Sequence, residues 1–252
     1  NDNSPVITSN NTFSADENQT AAGTVTATDD DGDSLTYSLT GTDASSLSVS
    51  SSGVLTFNSA PDYETKNSYA ITANVADSDN TTTQDITVNI NNLNDNVPVI
   101  SSGASFNADE NQTSVGTVSA SDADGDSLSY SLSGTDAGSL AISNTGVITF
   151  NSAPDYEAKT SYSITAAVTD GATSVSQNIT ISIVNLNDNS PVISSGDTYN
   201  AAENQTAVGS VTAADADGDT LSYSLSGTDA SSLSISSSGV ITFNSAPNYE
   251  VK

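Results

Sequence analysis

Apolar and polar residues alternate with a period of two along most of the chain. The alternation is clearest in "GTVTATD" (23–29), "SLTYSL" (34–39), "GVLTF" (53–57), "SYAITANVA" (68–76) and "QDITVNINNL" (84–93). These segments are rich in Val, Ile, Thr and Tyr, and Gly, Pro, Asn and Asp separate them, which is typical of half-buried β-strands joined by turns. With short strands at 5–9 and 46–50, the pattern predicts about seven strands and no helix of useful length.

The same sequence elements return every 93 residues. "NDNSPVI" at 1–7 is followed by "NDNVPVI" at 94–100 and by "NDNSPVI" at 187–193. Three copies in register without an insertion predict three tandem domains, which are 1–93, 94–186 and 187–252. The first "NDN" reads as a cut through a longer protein, and the third copy lacks the counterparts of the last two predicted strands.

The strand count predicts an all-β fold of tandem seven-stranded Greek-key sandwiches of the immunoglobulin type, with the third repeat incomplete. Side chains on one face of each strand form the predicted core. In the first repeat these are Val25, Ala27, Leu35, Tyr37, Leu39, Leu55, Phe57, Ile71, Val75, Ile86, Val88 and Ile90.

Acidic residues greatly outnumber basic ones, with 31 Asp and Glu against three Lys and a formal charge of −28. This balance excludes nucleic acid as a partner, because phosphate binding needs a basic footprint, and it disfavours an anionic membrane surface. No apolar run is long enough to span a bilayer, so we expect no membrane insertion. Since the chain has no Cys, neither disulfides nor thiolate metal sites stabilise it.

The acids fall into four elements in each complete copy. They are a lone Glu after the first strand (Glu17, Glu110, Glu203), an Asp-x-Asp-Gly-Asp loop (29–33, 122–126, 215–219), an Asp/Asn-Tyr-Glu triplet (62–64, 155–157, 248–250) and Leu-Asn-Asp-Asn between copies (93–96, 186–189). Taken singly, the loop is compatible with a plain turn and the linker with a plain linker. An EF-hand is excluded, because counting from Asp122 places Ser127 and Ser133 where that motif needs Gly and Glu. Hard oxygen donors recurring together, without His or Cys, favour Ca²⁺.

These elements resemble the calcium-binding elements of extracellular cadherin repeats, most closely the cadherin-like repeats of bacterial surface and secreted proteins. The resemblance rests on five motifs in one order: Glu17 in "DEN", "DYE" (62–64), "NLNDNVP" (92–98), "DAD" (122–124) and Asp170 in "VTDG". It implies three Ca²⁺ at each junction, bound by two consecutive repeats and the linker between them.

Carried over residue by residue, the resemblance gives the candidate metal ligands. The first junction would use Glu17, Asp62, Glu64, Asn94, Asp95, Asn96, Asp122, Asp124 and Asp170. The second would use Glu110, Asp155, Glu157, Asn187, Asp188, Asn189, Asp215 and Asp217. The corresponding acids at the N-terminal end of the first repeat are Asp2, Asp29, Asp31 and Asp77. At the first junction seven carboxylates would face the six positive charges of three Ca²⁺.

The sequence departs from the family pattern at a few positions. Asn92 and Asn185 stand where the family linker opens with an acid, and Asn248 replaces the Asp of the third triplet. The third acid of each loop (Asp33, Asp126 and Asp219) has no assigned role.

The resemblance predicts a calcium-rigidified extracellular stalk or adhesin segment, located at the cell surface or secreted. Its partners would be calcium, neighbouring copies, and surface glycans or proteins. Two alternatives are a calcium-dependent carbohydrate-binding module and a subunit of a self-assembling surface layer or filament. We expect no enzyme, because every acidic cluster recurs in repeated domains and active sites are rarely triplicated.

Overall fold

The computed structural model describes residues 3–250. The first repeat is built from nine short strands and a single 3₁₀ turn at Ala44–Ser46. The strands are β1 (Val6–Ile7), β2 (Thr12–Asp16), β3 (Ala21–Thr24), β4 (Ala27–Thr28), β5 (Thr36–Thr40), β6 (Leu47–Val49), β7 (Val54–Phe57), β8 (Ser68–Ala76) and β9 (Thr81–Asn91).

The same order of elements recurs in the second repeat and, in part, in the third. The second repeat contains β10 (Val99–Ile100), β11 (Ser105–Asp109), β12 (Ser114–Thr117), β13 (Ala120–Ser121), β14 (Ser129–Ser133), β15 (Leu140–Ile142), β16 (Val147–Phe150), β17 (Ser161–Thr169) and β18 (Ser174–Val184). The third contains β19 (Val192–Ile193), β20 (Ala207–Ser210), β21 (Ala213–Ala214), β22 (Leu233–Ile235) and β23 (Val240–Phe243).

The sheets of the first repeat form a two-layer sandwich closed by a short strand pair. One layer has the order β2-β9-β8-β5, the other has the order β3-β7-β6, and β1 pairs with β4. Strand β2 runs parallel to β9, whereas β8 and β9 are antiparallel. The all-β sandwich prediction is confirmed, with two refinements: the strand predicted at 23–29 is divided into β3 and β4, and β2 is a further strand that the pattern did not predict.

The core lies between the two layers and contains the predicted residues together with Ala15, Ala22, Leu47 and Ala73, which were not predicted. Eight of the twelve predicted residues are buried, among them Val25, Leu55 and Val88 with no exposed surface. The remaining four, which include Tyr37 and Leu39, are partly buried and pack against that cluster. Burial on one face of each strand is what the two-residue alternation requires, because successive side chains point to opposite faces of a sheet.

Both lysines that the structure describes bind acids within their own repeat. Lys66 forms an ion pair with Asp43, and its ammonium lies 4.7 Å from the centre of the Tyr69 ring. Lys159 and Asp136 repeat this arrangement in the second repeat. The Lys66 hydrogen bond, followed by that of the Ala70 amide, lowers the pKa of Asp43. These cations are therefore already paired and do not neutralise the acids of the linkers.

The third repeat has strands in only part of the sandwich. Its residues 222–226 have the sequence "SYSLS", which is identical to β14, yet they form no strand. In the second repeat β14 pairs with β17, and the third repeat has no counterpart of β17 or β18 among its described residues. A strand needs a hydrogen-bonded neighbour, so the identical sequence stays irregular here.

The chain folds into two compact units. The first contains Asn1–Ser101, Ser119–Ser129 and Ala167–Ser176, and the second contains Ser102–Val118, Tyr130–Ala166 and Gln177–Lys252. The acids predicted for the first junction all lie in the first unit, and those predicted for the second junction all lie in the second. The repeat boundaries after residues 93 and 186 stay a prediction. Between residues 3 and 250 no helix has the length and apolar character needed to cross a membrane.

The turn before β7 depends on a glycine. Gly53 has φ +80°, and a Cβ atom built on it would lie 2.0 Å from the carbonyl oxygen of Val25. We expect Gly53→Ala to lower the free energy of unfolding by about 2 kcal/mol or more, because backbone strain and a steric clash add. Gly32→Ala is the matched control, since Gly32 has φ +78° and open space around it. Equal losses in chemical denaturation with EDTA would contradict the steric argument.

Candidate metal centre

A buried carboxylate marks one end of the first repeat. Glu17 is only 1% exposed, and both of its oxygens accept backbone hydrogen bonds. Oε2 accepts from the Tyr63 amide at 2.8 Å, and Oε1 accepts from the Leu93 amide at 2.7 Å. Glu17 thereby connects the "DYE" triplet to the start of the linker, which holds both segments at one place.

Four acids from three parts of the sequence come together beside Glu17. One carboxylate oxygen each from Glu17, Glu64, Asp95 and Asp124 lie within 4.8 Å of one another. Two of these acids belong to the first repeat, Asp95 belongs to the linker, and Asp124 belongs to the Asp-rich loop of the second repeat. We call this group of four the first acid cluster.

Asp124 holds the linker through three hydrogen bonds. Its Oδ2 accepts from the backbone amides of Asp95 at 3.1 Å and Asn96 at 2.9 Å. Its Oδ1 accepts from the side-chain amide of Asn96 at 2.7 Å. The linker and the loop are thus fixed to each other by the same carboxylate that completes the cluster.

The second junction repeats this geometry. Glu110 is 1% exposed and accepts from the amides of Tyr156 at 2.9 Å and Leu186 at 2.7 Å. The second acid cluster consists of Glu110, Glu157, Asp188 and Asp217, whose oxygens again lie within 4.8 Å. Asp217 accepts from the linker amides of Asp188 at 3.1 Å and Asn189 at 2.8 Å and from the Asn189 side chain at 3.0 Å.

The Asp-x-Asp-Gly-Asp loops form further acidic groups. One oxygen each from Asp122, Asp124 and Asp126 lie within 4.8 Å of one another. Oδ1 of Asp122 accepts from the Asp124 amide at 3.0 Å, which folds the loop so that its acids point together. The same spacing holds within the triplets Asp29, Asp31 and Asp33, and Asp215, Asp217 and Asp219.

Some predicted ligands lie in turns of their own. Asp62 accepts from the backbone amide and the hydroxyl of Thr65, at 3.1 and 3.0 Å, and Asp155 accepts from the Ala158 amide at 3.1 Å. The Asp170 carboxylate, in a residue 8% exposed, accepts from the amides of Ala172 and Thr173 and from the Thr173 hydroxyl. These three acids do not belong to the close clusters.

The linker asparagines act as donors in this structure. The Asn94 side chain donates to the Asp170 carbonyl at 3.4 Å, and Asn187 donates to Asp219. At the N-terminal end of the first repeat, Asp31 accepts from Asn3 at 2.8 and 3.0 Å. There Asp77 accepts from two amides of its own turn at 2.6 Å, and Asp2 lies outside the described residues.

Sequence analysis missed one residue of each site. The Asn18 side chain donates to Asp95, and Asn111 donates to Asp188 in the second cluster. Asn18 has φ +61° and Asn111 has φ +60°, a left-handed conformation that Asn adopts more readily than most residues. The repeated "DENQT" and "AENQT" contained this signal, because Asn directly follows each lone Glu.

Loss of hydration and hydrogen bonding shift the pKa values within each cluster in opposite directions. The pKa of Glu64 is raised, first by loss of hydration and then by the negative charges of Glu17, Asp124 and Asp62. Hydrogen bonds from Asn96, its side chain first, lower the pKa of Asp124. Glu157 and Asp217 show the same opposite shifts at the second cluster. The Glu of each triplet is therefore the carboxylate of its cluster that is hardest to keep ionised.

The donor set fits Ca²⁺. Ca²⁺ takes six to eight oxygen ligands from carboxylates and amide carbonyls, and both clusters offer only such oxygens. Between residues 3 and 250, no hydrogen-bond donor reaches the buried Oδ2 atoms of Asp122 and Asp126 or the buried Oδ1 of Asn185. A buried polar atom without a donor is costly unless a cation satisfies it.

Comparison with family models covers most of the chain. The model described as "Bacterial Ig domain" matches residues 1–91 and 187–252, which is more than half of the sequence, and the model described as "Cadherin domain" matches residues 104–186. The chain belongs to the bacterial Ig domain family, and its middle part matches the cadherin domain model. Its repeats are cadherin-like tandem repeats, as the sequence motifs predicted.

Individual relatives agree with this assignment. Mouse protocadherin Fat 4 is 31% identical over 223 residues, which cover 81% of this chain and 4% of that protein. The crystal structure of mouse cadherin-23 EC22-24 superposes with a TM-score of 0.75 at 26% identity, covering 99% of this chain and 90% of that one. The protocadherin gammaB7 EC3-6 cis-dimer structure, at 24% identity, has a TM-score of 0.78 over 100% of this chain and 71% of its own, which shows the shared fold. This chain spans a small fraction of the curated relatives.

The buried Glu17 provides a test of the cluster's scaffold. Glu17→Gln places an amide group against backbone N–H groups that now donate to a carboxylate, so we expect a loss of about 2 kcal/mol in the free energy of unfolding. Denaturation of the first repeat in EDTA measures this loss without any contribution from metal. Asp16→Asn is the control, because Asp16 is exposed and accepts from the side-chain amide of Asn91 and, among residues 3–250, from no backbone amide. Equal stability of the two variants would contradict a scaffold role for Glu17.

Proposed function

We propose that this chain is a calcium-rigidified segment of an extracellular surface protein, and that Ca²⁺ binds at the junctions between repeats 1–93, 94–186 and 187–252. One observation carries the proposal: the first acid cluster takes Glu17 and Glu64 from one repeat, Asp95 from the linker and Asp124 from the next repeat. A ligand bound by this group contacts both repeats, so binding and the angle between the repeats are coupled.

Calcium binding would offset the repulsion between the clustered carboxylates. At about 4 Å, two carboxylates repel by about 1 kcal/mol in water and by about 4 kcal/mol at an effective dielectric of 20. Without a cation the four acids of each cluster favour separation of the segments that bear them. Ca²⁺ supplies positive charge and reverses this preference, so the repeats are held in one orientation.

Under this proposal, seven carboxylates hold the ions of the first junction. Glu17, Glu64, Asp95 and Asp124 provide carboxylates at the first junction, and Asp122 adds one from the loop. Asp62 and Asp170, which now accept hydrogen bonds within their turns, complete the seven carboxylates that the family resemblance assigns. Asn18 and the amides around Asn96 position Asp95 and Asp124, and they contribute no charge of their own.

A stalk or spacer in an adhesive array is the role that fits these properties best. The proposed sites connect consecutive repeats. The acids that recur at each junction would bind the ions that fix the orientation of those repeats. Adhesion to a partner, whether a neighbouring copy or a surface glycan, belongs to this proposal as a role for the longer protein.

Calcium should stabilise the folded chain. A ligand that binds only the folded state adds about 2.7 kcal/mol at 100 times its Kd, and extracellular sites typically have Kd values of about 10⁻⁴ to 10⁻³ M. We therefore expect a higher melting temperature in millimolar Ca²⁺ than in EDTA by calorimetry. Mg²⁺ is the control and should have a smaller effect, because it demands a tighter octahedral site. An unchanged melting temperature in Ca²⁺ would refute the proposal.

Calcium should also narrow the range of angles between the first two repeats. The absence of Cys allows single spin labels at Ser51→Cys and Asn144→Cys, which are equivalent exposed positions in consecutive repeats. We expect the distribution of distances between the two spin labels, measured by double electron–electron resonance, to become narrower with Ca²⁺. Asp95→Ala should abolish the sharpening, because it removes the linker carboxylate, whereas Asp188→Ala, the same change at the second junction, should leave it intact. A sharpened distribution in Asp95→Ala would show that Asp95 is not a ligand.

A further inference from the structure

One sheet of the third repeat has no second layer over its inner face among residues 187–250. Strands β20, β23 and β22 form this three-stranded sheet, which is the counterpart of β12, β16 and β15 in the second repeat. In the second repeat Leu140 and Phe150 are 5% and 4% exposed. The equivalent Leu233 and Phe243 are only partly buried. The apolar inner face of the sheet is therefore open in the third repeat, and we call it the open face.

A groove lies at the open face and has a volume of about 620 Å³. It is lined by residues of β19, of β22 and of the segment 221–225. Its apolar lining residues include Ile193, Val211, Leu221, Tyr223, Leu225 and Ile235. Ile193 is 66% exposed. A contiguous exposed apolar surface on a soluble protein marks an interaction site.

Two segments beside the open face lack strand structure. Residues 198–202 are the counterpart of β11, and residues 222–226 are the counterpart of β14, and both are irregular. In the second repeat the sheet order is β11-β18-β17-β14, so β11 and β14 are the strands that hydrogen-bond to β18 and β17. The third repeat has no counterpart of β17 or β18 among its described residues. Its loss of strand structure is thus confined to the neighbours of one strand pair.

The second repeat shows which segment fits the open face. The inward side chains of β17 and β18 are at most 5% exposed there, and they are Ile164, Ala166, Val168, Ile179, Ile181 and Ile183. In the first repeat the equivalent Ile71 and Val88 belong to one core cluster with Leu55 and Phe57 of the opposite sheet. The strand pair and the three-stranded sheet are therefore the two halves of one core.

We propose that the open face binds a pair of strands supplied by another chain, with the apolar alternation of residues 161–184, and that this pair completes the third sandwich. Another chain is the source because both such pairs within residues 3–250, β8 with β9 and β17 with β18, already belong to the sheets of their own repeats. Residues 161–184 contain a single acid, Asp170, so the charge of −28 on the acceptor chain repels such a pair only weakly. The inference goes beyond the calcium function and does not depend on it.

Backbone pairing and side-chain burial would act together in this complex. Residues 198–202 and 222–226 would each gain a hydrogen-bonded neighbour, which is how an added strand contributes affinity in β-augmentation. Alternate side chains of the added pair would enter the groove and contribute specificity.

The test is a titration of the full chain in EDTA with a fluorescently labelled peptide of residues 160–186, followed by anisotropy. We expect saturable binding at one peptide per chain. Leu225→Asp should weaken binding by about tenfold or more, because it places a charge on the apolar face. Ser226→Asp is the matched control, since it adds the same charge at the next, exposed position, and its effect should stay below about threefold.

Hydrogen exchange shows whether the peptide enters as strands. With peptide bound, the backbone amides of 198–202 and 222–226 should exchange more slowly, because they gain hydrogen-bonded partners. A peptide with Ile181→Asp should bind at least about tenfold more weakly. A chain extended after Lys252 by residues 160–186 carries the strand pair itself, in the register of the second repeat, and should not bind the peptide.

Three results would overturn the proposal. They are the absence of saturable binding, equal affinities of Leu225→Asp and Ser226→Asp, and binding without slower exchange at the two irregular segments. Sedimentation provides a further check: a parent chain that dimerises and does not bind the peptide would assign the open face to a second copy instead. Because every measurement is made in EDTA, each of these failures leaves the calcium function intact.

Discussion

Every junction in this chain is governed by one constraint, which is that closely packed carboxylates need positive partners that the sequence does not supply. The structure meets part of this need with neutral donors. Glu17 receives two backbone N–H groups and Asp124 receives three donors, and most of these donors come from the linker. Electrostatics and the path of the linker are therefore coupled. The linker N–H groups that stabilise the carboxylates are also the groups that hold the linker in place.

The fold was largely predictable from the sequence, because burial on one face of a strand leaves a two-residue pattern. All twelve predicted core residues are buried or pack against the core. The strand predicted at 23–29 is instead divided into β3 and β4, and β2 was not predicted. The division follows from a change of partner, because β3 pairs with β7 whereas β4 pairs with β1. The choice of partner strand depends on the tertiary fold and leaves little trace in the alternation of a single segment.

The grouping of the acids was predictable in its membership and less so in its geometry. The period of 93 residues identified the four acids of each cluster, because identical chemistry at a fixed spacing is improbable by chance. The orientation of Asp62 and Asp170 was not predictable, since each has a choice between the cluster and donors in its own turn. Asn18 was missed for a related reason: its importance lies in a left-handed backbone conformation that directs its amide to Asp95. Repetition indicates which residues matter, and local hydrogen bonding decides where their oxygens point.

One departure from the family pattern has a direct structural consequence. Where the family linker opens with an acid, this chain has Asn92 and Asn185, whose side-chain amides donate to the carbonyls of Asp124 at 2.8 Å and Asp217 at 2.9 Å. A carboxylate could not make that bond, so the asparagine fixes the Asp-rich loop against the linker and keeps one neutral oxygen. The linker and the loop thus hold each other at both junctions, because the loop carboxylate accepts from the linker amides and the linker asparagine donates to the loop carbonyl.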